Sequence, residues 1–160
     1  MTLPLAASIA KLDKRTVKEA ESLPAATAPL NGLRVLVVED DRDTLELLSA
    51  ALKQQKAEVT AVQSADEAME AMSLSLPDVL VSDIAMPGKD GYELIKLVKV
   101  MTLNGAKSIP AVAITAYAAE EDRQKALSAG YRSCLAKPIE LAELVLAVAD
   151  AARSHNLPKS

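Results

Sequence analysis

Val79-Leu80-Val81-Ser82-Asp83-Ile84-Ala85-Met86-Pro87-Gly88-Lys89-Asp90-Gly91 is the stretch whose reading decides the fold. It opens as an apolar, β-branched-rich run, the composition of a strand buried on both faces. It then presents one carboxylate, Asp83, where that strand should end. Pro87, Gly88 and Gly91 follow, so the chain must leave the sheet and turn there. A carboxylate at the C-terminal end of a buried parallel strand stands where open α/β sheets bind ligands. The competing reading, that Asp83 only caps the loop, is the commoner fate of a single aspartate. The remainder of the chain has to decide between them.

On either side of this stretch the pattern is regular. Residues 34–38 form a short buried strand that runs into acid, Glu39-Asp40-Asp41. A helix follows, with Leu45, Leu48 and Leu52 on one face. Residues 58–62 give a second strand. Ser64 and Glu67 have the spacing of a capping box, opening a helix that carries Ala68, Met69 and Met72. After the third strand, residues 92–101 place Leu94, Ile95, Val98 and Met101 at helical spacing. Residues 109–115 supply a fourth strand, 119–129 a helix stopped by Gly130, and 133–136 a fifth strand ended by Lys137-Pro138. Residues 140 to about 153 make the last helix, with Leu141, Leu144, Val145 and Val148 toward the core. Strand and helix alternate five times, with connections too long for hairpins. That predicts an α/β fold, a doubly wound five-stranded parallel sheet.

The composition agrees with one helix-covered domain. The chain has 160 residues, and half are hydrophobic, yet it has no Phe, no Trp and three Tyr. Its core must be built from Leu, Val, Ile, Ala and Met. A formal net charge of -4 gives no electrostatic reason for nucleic-acid binding. No apolar run approaches the roughly 18 residues a spanning helix needs. The single cysteine, Cys134, excludes an intramolecular disulfide and fits a reducing, cytoplasmic setting. Residues 1–32 differ in character: Ala, Ser, Thr and Pro are frequent, and residues 11–22 form at most a marginal helix. They read as a linker.

In a parallel sheet all C-terminal strand ends share one edge. Strand one brings Glu39 and Asp40 there, strand three Asp83, strand four Thr115 and strand five Lys137. Three carboxylates repel unless something positive neutralises them. Lys137 supplies one charge and a hard divalent cation two more; Mg²⁺ suits an oxygen site of one or two carboxylates plus phosphate. The cluster looks built for phosphoryl transfer. Asp83, alone on a central strand, is the candidate nucleophile. Thr115 would donate to a phosphoryl oxygen and Lys137 would pair with another.

Val37-Val38-Glu39-Asp40-Asp41, Asp83-Ile84-Ala85-Met86-Pro87-Gly88-Lys89-Asp90-Gly91, Ile114-Thr115-Ala116 and Ala136-Lys137-Pro138 resemble the four blocks of the response-regulator receiver domain, in its order and spacing. The resemblance runs from about Leu33 to Arg153. It implies a flavodoxin-like (βα)₅ receiver fold over residues 33–155, with 156–160 a tail. It implies Mg²⁺-dependent phosphorylation of Asp83 by a phosphohistidine donor, and slow dephosphorylation. By the same resemblance the metal is held by Glu39, Asp40, Asp83 and the backbone carbonyl of Ala85, and Lys137-Pro138 is a cis bond. The implied partners are a histidine kinase or histidine phosphotransfer protein and a downstream protein.

One departure stands out: Cys134 occupies the position where the family carries an aromatic ring that moves as the Thr shifts. Cys134 reads as a small buried hydrophobe. Tyr117 lies where the family tunes access of hydrolytic water. Thr2-Leu3-Pro4-Leu5-Ala6 resembles the end of a kinase ATP-binding domain, and 22 residues follow Pro138, enough for a helix and a tail. The expected context is therefore the C-terminal receiver of a hybrid sensor kinase, with a stand-alone regulator as its rival. Two other classes compete with this reading. An unphosphorylated receiver-like scaffold is motivated by Cys134. A dehalogenase-type phosphatase is disfavoured because Ala85 stands where its second Asp belongs. His155 has no ligand partners and implies no transition-metal site.

Overall fold

The computed structural model describes residues 30–86, 88–102, 108–116 and 119–156, with side chains to 153. Five strands, β1 (Arg34–Val38), β2 (Glu58–Val62), β3 (Val79–Asp83), β4 (Ala111–Thr115) and β5 (Ser133–Ala136), form one parallel sheet in the order β2-β1-β3-β4-β5. Five helices connect and close them: α1 (Arg42–Gln54), α2 (Ala65–Leu74), α3 (Gly91–Met101), α4 (Glu120–Ala129) and α5 (Leu141–Asn156). This is the doubly wound architecture that the alternation predicts.

The sheet is sandwiched because alternate side chains of each strand leave on opposite faces. Val35, Val37, Val79, Val81, Val112 and Ile114 pack on one side with Leu45, Leu48 and Leu52 of α1 and Leu144, Val145 and Val148 of α5. Leu36, Val38, Leu80, Ala111 and Ala113 pack on the other with Met72 of α2, Leu94, Ile95 and Val98 of α3 and Ala126 of α4. β3 and β4 are buried at every residue, as central strands covered twice must be. β2 has an open edge and buries none of its residues fully.

Local chemistry sets the helix starts. Asp41 caps α1 by accepting the Thr44 N–H at 3.0 Å. Ser64 caps α2 through the Glu67 N–H at 3.1 Å, and Glu67 reaches back to the Gln63 N–H at 2.9 Å. That is the expected reciprocal box, with the glutamate bonded one residue before the cap. Asp90 caps α3 through the Glu93 N–H at 3.0 Å, so α3 begins at Gly91, one residue before the apolar spacing suggests. β4 begins at Ala111 rather than 109, because Pro110 has no N–H to enter the ladder. α5 continues to Asn156, past the expected end near 153, and stops one residue before the Leu157-Pro158 pair. The sequence-based linker helix at 11–22 lies outside the described residues.

Candidate functional site

Sheet register assembles the site. Val38 on β1 is level with Ser82 on β3, so Glu39 and Asp83 emerge side by side. Asp83 is level with Ile114 on β4, and Thr115 with Ala136 on β5. Thr115 and Lys137 therefore come up one step further along the same edge, and the Lys137 N–H donates to the Thr115 carbonyl at 2.8 Å. Residues separated by up to 98 positions (137 minus 39) meet because five strands point the same way.

Glu39, Asp40 and Asp83 each offer a carboxylate oxygen within 4.8 Å of the others. Glu39 and Asp83 are buried, and Asp40 is exposed at the mouth. Lys137 Nζ lies 3.2 Å from Glu39 Oε1 and 3.3 Å from Asp83 Oδ2, a cation between two acids. Glu39 Oε2 accepts the Asp41 N–H at 3.0 Å. Glu39 Oε1 is wholly buried and, apart from the Lys137 charge, accepts no well-directed hydrogen bond. The acidic run after β1 thus divides. Glu39 and Asp40 turn into the cluster, while Asp41 is spent on capping α1, and its hydrogen bonds from Thr44 hold its carboxyl below the usual range.

Burial dominates the electrostatics. It pushes the Glu39 carboxyl up to about 7, the Asp41 N–H opposing and the Asp83 charge reinforcing. Burial also raises the Asp83 carboxyl, against the pull of Lys137. Burial disfavours the Lys137 charge, but Asp83 and Glu39 outweigh it and hold the ammonium above its ordinary value. Once all three carboxylates are ionised, the one ammonium leaves two negative charges unneutralised, a repulsion that itself helps to raise Glu39. An oxygen-only donor set with that surplus and one orphaned buried oxygen fits a hard divalent cation of the Mg²⁺ kind.

The other predicted residues fall around this cluster. Thr115 ends β4 and is buried. Ala85 sits in the exposed turn directly after β3. Lys137-Pro138 is cis. Cys134 is a buried free thiol on the α4 side of β5, packed with Ala113 and Ala126, as a small hydrophobe would be. Burial holds that thiol above its ordinary value, with Arg123 opposing. Tyr117 lies outside the described residues, as does the His155 side chain.

Three residues that carry weight here escape a pattern-based reading. Gly91 starts α3 against the exit of β3: a Cβ on it would meet the Asp83 carbonyl oxygen and Ile84 Cα at 2.8 Å. Tyr131 is buried and donates its hydroxyl to the Gly91 carbonyl at 2.7 Å. Ser82 Oγ donates to the Asp83 carbonyl at 3.0 Å. Gly91 is visible in sequence only as a turn residue, and Tyr131 and Ser82 carry no motif at all.

With strand order, register and acidic cluster in place, comparison with known proteins is decisive. Residues 35–149 match the model of the response regulator receiver domain. The chain belongs to that family. It is a receiver domain of two-component signalling. It is 47% identical over 111 residues to an uncharacterized 14.6 kDa protein of Leptolyngbya boryana, covering 69% of this chain and 83% of that one. It is 30% identical over 132 residues to the sensor histidine kinase RcsC of Salmonella typhimurium, covering 82% of this chain but 14% of the kinase. A solved structure, a putative response regulator from Chloroflexus aurantiacus, superposes with a TM-score of 0.71 at 32% identity, over 77% of this chain and 99% of the other. Among the described residues, no helix of the receiver is long and apolar enough to cross a membrane.

Proposed function

We propose that Asp83 is the phosphoacceptor of this receiver and that the surrounding cluster catalyses the transfer. The observation that carries the reading is the convergence of Glu39, Asp40, Asp83 and Lys137 on one sheet edge. A carboxylate oxygen of Asp83 attacks the phosphorus of a phosphohistidine. The new P–O bond forms as the P–N bond breaks, and the imidazole nitrogen leaves with the electron pair and takes up a proton. Glu39, Asp40, Asp83 and the Ala85 carbonyl would hold Mg²⁺, which when bound would supply neutralisation of the transferring charge. Lys137, already an ion-pair partner of Asp83, follows one phosphoryl oxygen, and the Thr115 hydroxyl donates to another. Slow attack of water on the phosphorus of the acyl phosphate breaks its P–O bond to Asp83, releases inorganic phosphate and returns the carboxylate.

The partners of this reaction are a histidine kinase or histidine phosphotransfer protein as donor and a protein that reads the altered surface near β4 and β5. The kinship with RcsC supports a hybrid-kinase context in the cytoplasm, and the domain spans 33–155 with 1–32 as its tether. A second reading, a scaffold that is never phosphorylated, is favoured by Cys134, which offers no ring to swing. Incubation of the chain with Mg²⁺ and a small-molecule phosphodonor should add one phosphoryl mass, and Asp83→Asn should abolish it. An unsubstituted protein that stays unmodified while a control receiver reacts would refute the phosphoacceptor role. Beryllofluoride separates the scaffold: a true switch shifts amide resonances around Thr115 and Lys137, and a scaffold does not.

A further inference from the structure

Asp83 is held from behind as well as from the open edge. Gly91, the first residue of α3, donates its N–H to the Ile84 carbonyl at 2.8 Å. Its Cα lies so close to the Asp83 carbonyl and Ile84 Cα that no side chain fits between them. The Gly91 carbonyl in turn accepts the Tyr131 hydroxyl at 2.7 Å, and that oxygen is itself 3.1 Å from where a Gly91 Cβ would stand. Ser82 Oγ completes the ring by donating to the Asp83 carbonyl, and the Ile84 N–H is tied to the Ile114 carbonyl at 2.9 Å. Tyr131 belongs to a different part of the chain, the junction of α4 and β5, where its own N–H caps α4 through the Ala126 carbonyl at 3.2 Å. It is 3% exposed, so its phenol cannot turn to water without leaving the core. Burial holds that phenol above its ordinary range, the nearby Ser82 hydroxyl opposing, so it remains a neutral donor throughout the physiological window.

We infer that Tyr131 is a positioning residue for the phosphoacceptor site: its hydroxyl fixes Gly91 against the exit of β3, and so holds segment 83–85 in the geometry that binds the cation. The inference rests on the metal-assisted reading of Asp83 given above. It assigns to a side chain 48 positions from Asp83 (131 minus 83) a role that neither its burial nor its aromatic character alone would require. A buried tyrosine that only fills space can become Phe without consequence at Asp83. A tyrosine whose one hydroxyl proton braces the loop cannot.

Tyr131→Phe keeps the ring and removes only the hydroxyl, and with it the one hydrogen bond to Gly91. In the full 160-residue chain, amide hydrogen exchange and a MgCl₂ titration followed by backbone amide shifts read the two halves of the inference. Loss of one neutral buried hydrogen bond is expected to speed exchange of the Ile84 and Gly91 amides by about five-fold and to weaken the Mg²⁺ response by about the same factor. The Val37 amide, in the middle of β1, reports global opening and corrects for any change in overall stability. Unchanged Ile84 and Gly91 protection, after that correction, overturns the inference. Faster exchange with an unchanged Mg²⁺ midpoint overturns it equally, since the hydroxyl then braces only the start of α3. If the unsubstituted chain shows no saturable Mg²⁺ response, the metal reading itself has failed. The exchange ratios, extended to the Asp83 and Ala85 amides, then decide alone whether Tyr131 holds the segment.

Discussion

Gly91→Ala is the smallest change that tests how the loop after Asp83 is built. Gly91 is not in the left-handed region, so its backbone accepts alanine, and in a helix alanine would normally gain up to about 1 kcal/mol over glycine. The methyl, however, would stand 2.8 Å from both the Asp83 carbonyl oxygen and Ile84 Cα. Both are backbone atoms of the strand exit, and neither can rotate aside. The start of α3 must withdraw by roughly half an ångström, stretching the bond from the Gly91 N–H to the Ile84 carbonyl and disturbing the Tyr131 hydroxyl. Overpacking of this kind costs about 1–3 kcal/mol, and little of the propensity gain survives at the first residue of a helix. The net expectation is a loss of about 1–2 kcal/mol, read by thermal unfolding as a midpoint several degrees lower. Gly32→Ala is the control. Its φ of 80° makes alanine costly by about 1–2 kcal/mol, but nothing lies within 4 Å of the new methyl, and it is remote from Asp83. The two variants should lose similar stability, yet only Gly91→Ala should slow phosphoryl uptake from a small donor. A Gly91→Ala protein at least as stable as the unsubstituted one refutes the close-contact argument. Equal slowing in both variants refutes the claim that the contact acts locally on Asp83.

Other consequences follow from the charges and the packing. Glu39 binds its proton more tightly folded, at about 7, than at the ordinary 4.5 of an unfolded glutamate, so the folded state carries the extra proton between those values. Stability of the metal-free protein should therefore fall as pH rises from about 4.5 through 7, and Glu39→Gln should flatten that slope in urea titrations at several pH values. Lys137→Met removes the cation between two buried acids and should destabilise the fold by about 1–3 kcal/mol at pH 8. The loss should shrink near pH 5, where Glu39 carries its proton, and a pH-independent loss would show that the ammonium does not act by charge. α4 buries only Ala126 among its ten residues and has no side-chain cap at its start, so its amides should exchange fastest among the helices. Slower exchange there than in α1 would mean that burial is the wrong measure of its hold.

The fold was legible because the sheet is covered on both faces. Three runs, Val35-Leu36-Val37-Val38, Val79-Leu80-Val81 and Ala111-Val112-Ala113-Ile114, have no polar side chain to spare for water, which leaves a doubly covered parallel sheet as the place to put them. The helix starts were legible wherever a capping side chain announced them, as at Ser64. The boundaries that shifted did so for reasons one residue deep: Pro110 withholds an N–H from β4, and Asp90 caps α3 one residue before the apolar spacing begins. The site was legible for the same reason as the fold. Once strands are known to run parallel, their polar termini share an edge without any knowledge of distance. What required structure was the use of the third acid: the strand-end pattern already placed Glu39 and Asp40 in the cluster, whereas the capping of α1 by Asp41 shows only in its bond from the Thr44 N–H.

Tyr131 shows where such reading stops, and why. Pattern reasoning finds residues whose position follows from periodicity or from a strand end. Tyr131 stands between elements, after the glycine that stops α4 and before β5, and its contact with Gly91 spans 40 residues. That contact exists only because Gly91 lacks a side chain and α3 can approach the strand exit closely. The chain carries Cys134, with no ring, three residues beyond a buried tyrosine whose hydroxyl is hydrogen-bonded next to Asp83. A thiol packed with alanines can transmit little by rotating. A phenol tied at one end to α3 and at its backbone to the C-terminus of α4 joins the exit of β3 to a helix that buries only Ala126. Those two hydrogen bonds are a contiguous physical link between the exit of β3 and the C-terminal end of α4.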